Sequence, residues 1–118
     1  MTRVNSRQKG ARGEREWAAY LRDHGIDARR GQQFSGSPDS PDVVSEMLGR
    51  FVHMEVKRVE ALRLEPAMAQ AERDCPENKV PVVVHRKNRT PWLVTLRAVD
   101  AVPLILAAIN GGWEVDDE

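Results

Sequence analysis

The segment VPVVVHR, residues 80 to 86, restricts the possible folds of this chain more than any other stretch. It lacks the polar and apolar alternation of a strand with one wet face, so it predicts a strand that is buried on both faces. KNRT predicts a turn after it, and PWLVTL predicts the partner strand. A strand covered on both sides needs further layers above and below it, so we expect a sheet flanked by helices.

Helical patterns occur in three other segments. Trp17, Ala18 and Leu21 share one side of a helix predicted from about residue 10 to residue 24, and Gly25 stands where that helix should end. Pro66 is placed as the first residue of a second helix that runs to about residue 73. Residues 97 to 109 are apolar and predict a partly helical third segment, in which a proline at position 103 should limit the length of any one helix.

The stretch DVVSEMLGRFVHMEVK, residues 42 to 57, predicts a short strand, a turn at about residues 48 to 50 and a longer strand, which together form a hairpin. The predicted order is α-β-β-α-β-β-α, an α/β (α+β) fold with a mixed sheet flanked by helices. We expect the 118 residues to form one domain, with a loose basic N-terminus at residues 1 to 8 and a flexible acidic tail at residues 113 to 118.

Composition predicts the cellular setting. The one cysteine, Cys75, cannot form an internal disulfide, and the chain starts without the pattern of a signal peptide, so we expect a reducing cytoplasm. The longest apolar run, residues 101 to 109, falls far short of the roughly 20 residues that cross a bilayer, which predicts a soluble protein.

Charge is distributed unevenly along the chain, although the formal net charge is +0. Residues 1 to 34 hold eight basic residues (Lys or Arg) and four acidic ones. Residues 35 to 78 hold five basic and nine acidic residues, and residues 79 to 112 hold five basic residues and one acidic residue. An acidic centre between basic flanks suits a metal site that handles an anionic ligand, because carboxylates bind the metal while Lys and Arg hold phosphates. Solvated surface charge is the alternative explanation.

Glu55 and Lys57 are unexpected in the most strand-like part of the chain. Side chains alternate along a strand, so both share one face with Phe51 and His53, and they stand about 7 Å apart. Their proximity lets them act on one substrate group. An ion pair at an exposed sheet edge, which discourages aggregation, is the alternative.

Two further carboxylates come from other segments. Asp42 stands where a loop enters the short strand, and the predicted hairpin brings it back to Glu55. Glu14 lies three residues before Trp17 and seven before Leu21. This spacing places Glu14 on the apolar side of the first helix, unless the helix is rotated by one position and leaves it on the surface.

Carboxylates gathered in one place raise one another's pKa unless a cation joins them. Oxygen ligands without a cluster of His or Cys favour Mg²⁺ or Mn²⁺ over zinc. Such an ion acidifies a water that can attack phosphorus, and Lys57 can orient that water or neutralise charge that develops on the phosphate. These residues therefore predict phosphodiester hydrolysis.

The motif PDVV, followed after a gap by MEVK, resembles that of the PD-(D/E)XK nuclease superfamily. Together with KGARGERE on the first helix and SGS in the loop, it makes roughly residues 9 to 95 look like the small Holliday junction resolvases of archaea and their bacterial and phage-encoded relatives. The resemblance implies a restriction-endonuclease-like fold and a catalytic set on the helix and strands. It implies a role for Glu14, activation of water by Lys57, and metal ligation by Asp42, Glu55 and the Val56 carbonyl.

The loop SGSPDSPD carries the remaining alternatives. The resemblance implies a serine at the substrate phosphate, which is either Ser35 or Ser37. Asp39 is a rival to Asp42, and the apolar strand residues directly after Asp42 favour Asp42. Gln70, on the second predicted helix, resembles the auxiliary glutamine of several branches of the superfamily.

Basic residues at two places are candidates for contact with DNA phosphates. One set lies near the N-terminus, and the other lies in the turn between the last two strands, where a solvated hairpin tip is the alternative. Including one loop serine, the candidates are Arg7, Lys9, Arg12, Ser35, Arg86, Lys87 and Arg89. None of these segments resembles a recognition helix, so we expect the shape of the DNA to be recognised rather than its base sequence.

We therefore predict a Mg²⁺- or Mn²⁺-dependent endodeoxyribonuclease, and specifically a structure-selective Holliday junction resolvase in recombination and repair or in phage DNA processing. Two symmetric cuts need two active sites, so we expect a twofold homodimer, with Ala98 to Ile109 as one candidate interface. The alternatives are a nuclease for flaps, nicks or duplex DNA, and a non-catalytic DNA-binding subunit. The second is disfavoured because Asp42, Glu55 and Lys57 are all present.

Overall fold

The computed structural model describes residues 6–31 and 42–116, with the backbone alone for residues 6–9. These residues form helices α1 (Ser6–Asp23), α2 (Leu64–Asp74) and α3 (Ala98–Asn110), and strands β1 (Arg29–Arg30), β2 (Val43–Val44), β3 (Val52–Arg58), β4 (Val80–Arg86) and β5 (Leu93–Thr95). The predicted order of helices and strands is confirmed, with the two-residue β1 as an addition. The fold is the restriction-endonuclease-like α/β arrangement that the sequence predicts.

The main sheet has the strand order β3-β4-β5, in which β3 and β4 are parallel and β4 and β5 are antiparallel. In this register Glu55 lies opposite Val83, and Lys57 lies opposite His85. Parallel neighbours cannot be joined by a tight turn, and α2 supplies the crossover between β3 and β4.

Strand β4 is buried on both faces, as its apolar run predicts. On one face Val82 and Val84 join a core with Trp17 of α1 and Met54 of β3, and on the other face Val83 packs with alanines and a methionine of α2. Because side chains alternate along β3, Met54 faces α1 while the residues on either side of it face α2. The two helices thus cover opposite faces of the sheet.

Helix α1 approaches the end of β3 closely at Gly13. A Cβ atom placed on Gly13 would lie 2.9 Å from the Cβ of Arg58, which is closer than packed carbon atoms come. Glycine at this position lets the helix lie against the strand and brings the next residue, Glu14, to the strand edge. At the other end of α1, Gly25 adopts a left-handed φ of 82° and ends the helix as predicted.

The predicted hairpin between β2 and β3 differs from the structure, since β2 pairs with β1 instead. The Asp42 N–H still donates a hydrogen bond to the Met54 carbonyl at 3.3 Å, so the entry to β2 lies beside β3. Strand β3 begins at Val52, after a 3-10 turn at Leu48–Arg50 that leaves Phe51 exposed. The two-residue β2 is too short to set its own partner by hydrophobic pattern.

Three helix predictions need correction. Helix α1 begins at Ser6, and α2 begins at Leu64, two residues before Pro66. Helix α3 runs through Pro103 as one helix of 13 residues instead of being shortened by it. Pro103 is the sixth residue of that helix, so its missing N–H removes a single backbone hydrogen bond close to the helix start.

Helix α3 has no buried residue, although it is the most apolar of the three helices. Its start is attached to α2 through Arg97, whose guanidinium forms ion pairs with Glu65 and Glu72, both at 3.0 Å.

Within residues 6–31 and 42–116, no helix combines the length and the apolar character needed to cross a membrane.

Candidate active site

Asp42 lies at the entry to β2, alongside the edge of β3 that faces away from β4. Its Oδ2 accepts a hydrogen bond from the Val56 N–H at 2.8 Å, while its own N–H is bonded to the Met54 carbonyl. The N–H and C=O of one strand residue point to the same edge of the strand. The Val56 carbonyl is therefore directed to the same side as the Asp42 carboxylate.

Glu55 is buried on the α2 face of β3, with 3% of its surface exposed. It shares a hydrogen bond with Asp42, and its Oε1 lies 3.3 Å from Nε2 of His53. Burial, followed by the negative charge of Glu55 and that of Glu14, raises the pKa of Asp42 to about 7, although the Val56 N–H acts in the opposite direction. A bound cation would therefore favour the state in which all of these carboxyl groups are ionised.

Glu14 enters the site from α1 and is buried on the side of the helix that the sequence predicts. Its Oε2 accepts a hydrogen bond at 2.6 Å from Nε of Arg30, which belongs to β1. The Arg30 guanidinium is 44% exposed, whereas the Glu14 side chain is 9% exposed. The ion pair thus brings the positive charge of Arg30 next to Glu14, whose negative charge contributes to the raised pKa of Asp42.

Lys57 lies two residues beyond Glu55 on the same face of β3. Its Nζ donates a hydrogen bond to Oε1 of Gln70 at 3.0 Å. Gln70 comes from α2 and precedes Ala71, which is fully buried, so packing of the helix fixes the amide beside the amine. An ammonium group has three donors, which leaves two for other partners after this contact. The structure thus brings together the predicted Lys57 and Gln70.

Several predicted side chains lie outside what the structure describes. They comprise the loop candidates and two basic side chains near the N-terminus, namely Ser35, Ser37, Asp39, Arg7 and Lys9. Arg12 is described: its guanidinium is 72% exposed and pairs with Glu16 at 3.3 Å on the next turn of α1.

The turn between β4 and β5 separates its basic residues into two environments. Arg86 is half-buried and its guanidinium lies 5.5 Å from the centre of the Trp92 ring. Lys87 and Arg89 are exposed, and the turn that carries them is tied down where the Asn88 N–H donates to the Glu60 carboxylate. Lys87 and Arg89 are therefore presented to solvent, while Arg86 is held against the fold.

Arg30 and His53 belong to the site, although neither is among the predicted catalytic, metal-binding or DNA-binding residues. Alternation along β3 places His53 on the Glu55 face, and this is the signal that could have identified it. Arg30 has no comparable local signal, because its contact with Glu14 joins two segments of the chain that are 16 residues apart.

The oxygen donors at this edge of β3 suit a hard divalent cation. Asp42, Glu55 and the Val56 carbonyl are ligands of the type that Mg²⁺ and Mn²⁺ prefer. Among the residues that the structure describes, no three His, Cys, Asp or Glu side chains are grouped so as to hold a metal ion. The candidate ligands are therefore two carboxylates and one backbone carbonyl, and Mg²⁺ commonly completes a set of this size with several waters.

Comparison with known proteins gives one match. A protein-family model described as archaeal Holliday junction resolvase (Hjc) matches residues 5–73, which is more than half of the chain. The matched range includes Glu14, Asp42, Glu55, Lys57 and Gln70. Searches of curated proteins and of solved structures returned no match.

Proposed function

Because the chain belongs to the archaeal Holliday junction resolvase (Hjc) family, a family of PD-(D/E)XK nucleases, we propose that it cuts four-way DNA junctions and requires Mg²⁺ or Mn²⁺. At the level of the family it is a junction-resolving nuclease. We propose, beyond that, the metal requirement, the roles of the individual residues, and a place in recombination and repair or in phage DNA processing. The observation that carries it is the Asp42 carboxylate held on the Val56 N–H, with the buried Glu55 carboxyl next to Val56 on the same strand.

Each residue has a definite task in this proposal. Asp42, Glu55 and the Val56 carbonyl would hold the cation, which supplies positive charge at the phosphate and lowers the pKa of water. Lys57, held by Gln70, directs a water towards phosphorus and donates a hydrogen bond to a phosphate oxygen as negative charge develops there. Glu14 remains beside this group because Arg30 offsets its charge.

The test is a substrate panel. Labelled four-way junction, flap, nicked duplex and linear duplex are incubated with the protein in Mg²⁺, in Mn²⁺ and in a chelator. We expect cleavage of the junction, its loss in the chelator, and a fall of at least about 100-fold for Glu55→Gln and for Lys57→Ala, since each removes an interaction with the reacting groups. Glu77→Gln, at an exposed position after α2, is the matched control and should cut normally.

The other outcomes separate the alternatives. Binding of the junction without cleavage in either metal would leave a non-catalytic DNA-binding subunit. Equal cleavage of linear duplex, flap and junction would identify a nuclease that does not select branched DNA. Full activity in the chelator would contradict the metal requirement.

We propose that Lys87 and Arg89 contact DNA phosphates, because the anchored turn holds both side chains in solvent. Each lost phosphate contact should reduce the slope of log K against log salt concentration by about 0.9. Lys87→Ala and Arg89→Ala should both show this change for junction binding. Arg50→Ala, at an exposed arginine of the 3-10 turn, should leave the slope unchanged.

We also propose that α3 joins two copies of the chain into a twofold dimer. The helix exposes large apolar side chains all round, among them Val99, Val102, Leu104, Ile105, Leu106 and Ile109. Its one charged residue is Asp100, so its surface offers nothing to attract DNA phosphates. An exposed apolar surface of this kind marks a protein interface, and two symmetric cuts in one junction need two active sites.

Sedimentation measures the dimer directly. The unaltered protein should sediment with twice the mass of one chain, and Ile105→Asp combined with Ile109→Asp should sediment as a monomer, because both charges would enter an apolar interface. Phe51→Asp is the control, since Phe51 is 63% exposed, close to the 57% of Ile105, and lies outside α3. A monomer for the unaltered protein, or a dimer for the double variant, would contradict this interface.

A further inference from the structure

His53 is the buried titratable group at the site that the proposed function leaves without a task. It is 2% exposed and lies on the same face of β3 as Glu55. Its strand neighbour in β4 is Pro81, which has no N–H and no polar side chain. The contact of His53 that the structure shows is with the Glu55 carboxylate.

The geometry points to His53 as a positioning residue that sets the orientation of the Glu55 carboxylate for cation binding, an inference that rests on the proposed function. Nε2 of His53 lies 3.3 Å from Glu55 Oε1. An ionised carboxylate can only accept hydrogen bonds, so the imidazole donates through an Nε2–H and the tautomer follows. His53 acts through Glu55 and does not itself bind the metal.

A fixed carboxylate plane is needed because the terminal torsion of glutamate is soft. The χ3 angle of Glu has a broad distribution, so a single hydrogen bond leaves the two oxygens free to exchange or tilt. In the metal-free protein Glu55 is held by His53 at Oε1 and by a hydrogen bond with Asp42 that depends on a carboxyl proton. When a cation replaces that proton, the bond from His53 is retained and keeps the carboxylate oriented. One carboxylate edge is therefore kept turned towards Asp42, where the cation would bind.

The imidazole also borders a cavity. His53 lines a cavity of about 260 Å³ together with Val52, Val43 and Lys79, on the side of Glu55 that faces away from Lys57. His53 thus contacts both this cavity and the Glu55 carboxylate, whereas Glu55 does not line the cavity. A small side chain at position 53 would both free the carboxylate and open a route for water to it.

Hydrogen bonds to metal-ligating groups typically change metal affinity by about 10–100-fold when removed. We expect His53→Leu to weaken Mn²⁺ binding by this factor. His53→Gln should stay within about 3-fold of the unaltered protein, because the glutamine amide reaches the place of Nε2. His53→Asn, whose amide reaches only the place of Nδ1, should bind as weakly as His53→Leu.

The measurement is Mn²⁺ binding by calorimetry and by the electron paramagnetic resonance signal of free Mn²⁺, in the absence of DNA. Unfolding in urea is followed for every variant, and if His53→Leu does not fold, the comparison of His53→Asn with His53→Gln decides. His85→Leu is the control, because His85 is a histidine of the neighbouring strand whose Nε2 is bonded to Thr95 Oγ1 at 2.8 Å. Its Mn²⁺ affinity should be unchanged.

Weak binding by His53→Leu and His53→Asn with retention by His53→Gln supports the positioning role. Normal Mn²⁺ affinity in a folded His53→Asn or His53→Leu variant overturns it while leaving the nuclease proposal standing. Equal loss in all variants at position 53, glutamine included, also overturns it, since the hydrogen bond would then not be the cause. Absence of Mn²⁺ binding by the unaltered protein overturns the metal-dependent function, and the positioning role with it.

Discussion

The raised pKa of Asp42 predicts an unusual pH dependence of stability in the metal-free protein. The Asp42 pKa rises from 3.8 to about 7 on folding, so the folded state retains a proton that the unfolded chain releases above about pH 4. Unfolding therefore becomes easier as the pH rises, by about 1.4 kcal/mol per pH unit. Once the pH has risen past both pKa values the total loss amounts to about 4 kcal/mol, a large part of the 5–15 kcal/mol that stabilises an ordinary domain.

Asp42→Asn removes this dependence, because asparagine carries no titrating proton while its amide oxygen can still accept from the Val56 N–H. The assay is urea unfolding with a chelator present, at pH 5, 6, 7 and 8. Between pH 5 and pH 7, the unaltered protein should lose about 2 kcal/mol relative to the variant. Asp116→Asn, at an exposed position of the tail, is the control and should follow the unaltered protein.

Addition of Mg²⁺ at pH 8 should restore the stability of the unaltered protein and leave Asp42→Asn almost unaffected, since the ion replaces the proton as the partner of the carboxylates. Parallel stability curves for the two proteins from pH 5 to pH 8 would refute the reasoning. They would mean that Asp42 is no harder to ionise in the folded state than in the unfolded one.

Two further predictions concern the contacts of α1. Gly10→Ala should raise the free energy of unfolding by about 0.5–1 kcal/mol, because its Cβ meets nothing within 4 Å, whereas Gly13→Ala should lower it by about 1–3 kcal/mol by pushing the helix off Arg58. Both are measured by urea unfolding, and a stabilising Gly13→Ala would contradict the close approach. Arg30→Ala should cost about 1–2 kcal/mol, less than for a fully buried pair because Arg30 is 44% exposed. Adding Glu14→Gln should recover most of that loss, and simply additive losses in the double variant would argue against the pair.

Much of the fold was predictable because it follows local periodicity. The unbroken apolar run of β4 predicts burial on both faces, and Val82, Val83 and Val84 are indeed distributed between two cores. The spacing of Glu14 from Trp17 predicts its place on the buried side of α1, and the structure confirms that burial. Periodicity of this kind is set by the backbone geometry of each element and needs no information from the rest of the chain.

Two of the predictions that were wrong concern the partner of β2 and the effect of Pro103 on α3. Two valines in β2 cannot choose between β1 and β3 by pattern, and the choice of β1 became visible only once the chain was folded. Pro103 was expected to limit α3, but its place near the helix start makes the cost one hydrogen bond.

The amino-acid sequence by itself determined that Glu55 and Lys57 share one face of a strand, that Glu14 lies on the buried side of a helix, and that Asp42 directly precedes a strand. Each of these follows from the repeat of a single element. Only the tertiary structure decided that Arg30 pairs with Glu14 and that Gln70 holds Lys57. These contacts join separate elements that packing brings to hydrogen-bonding distance, and packing distances are not encoded in any one segment.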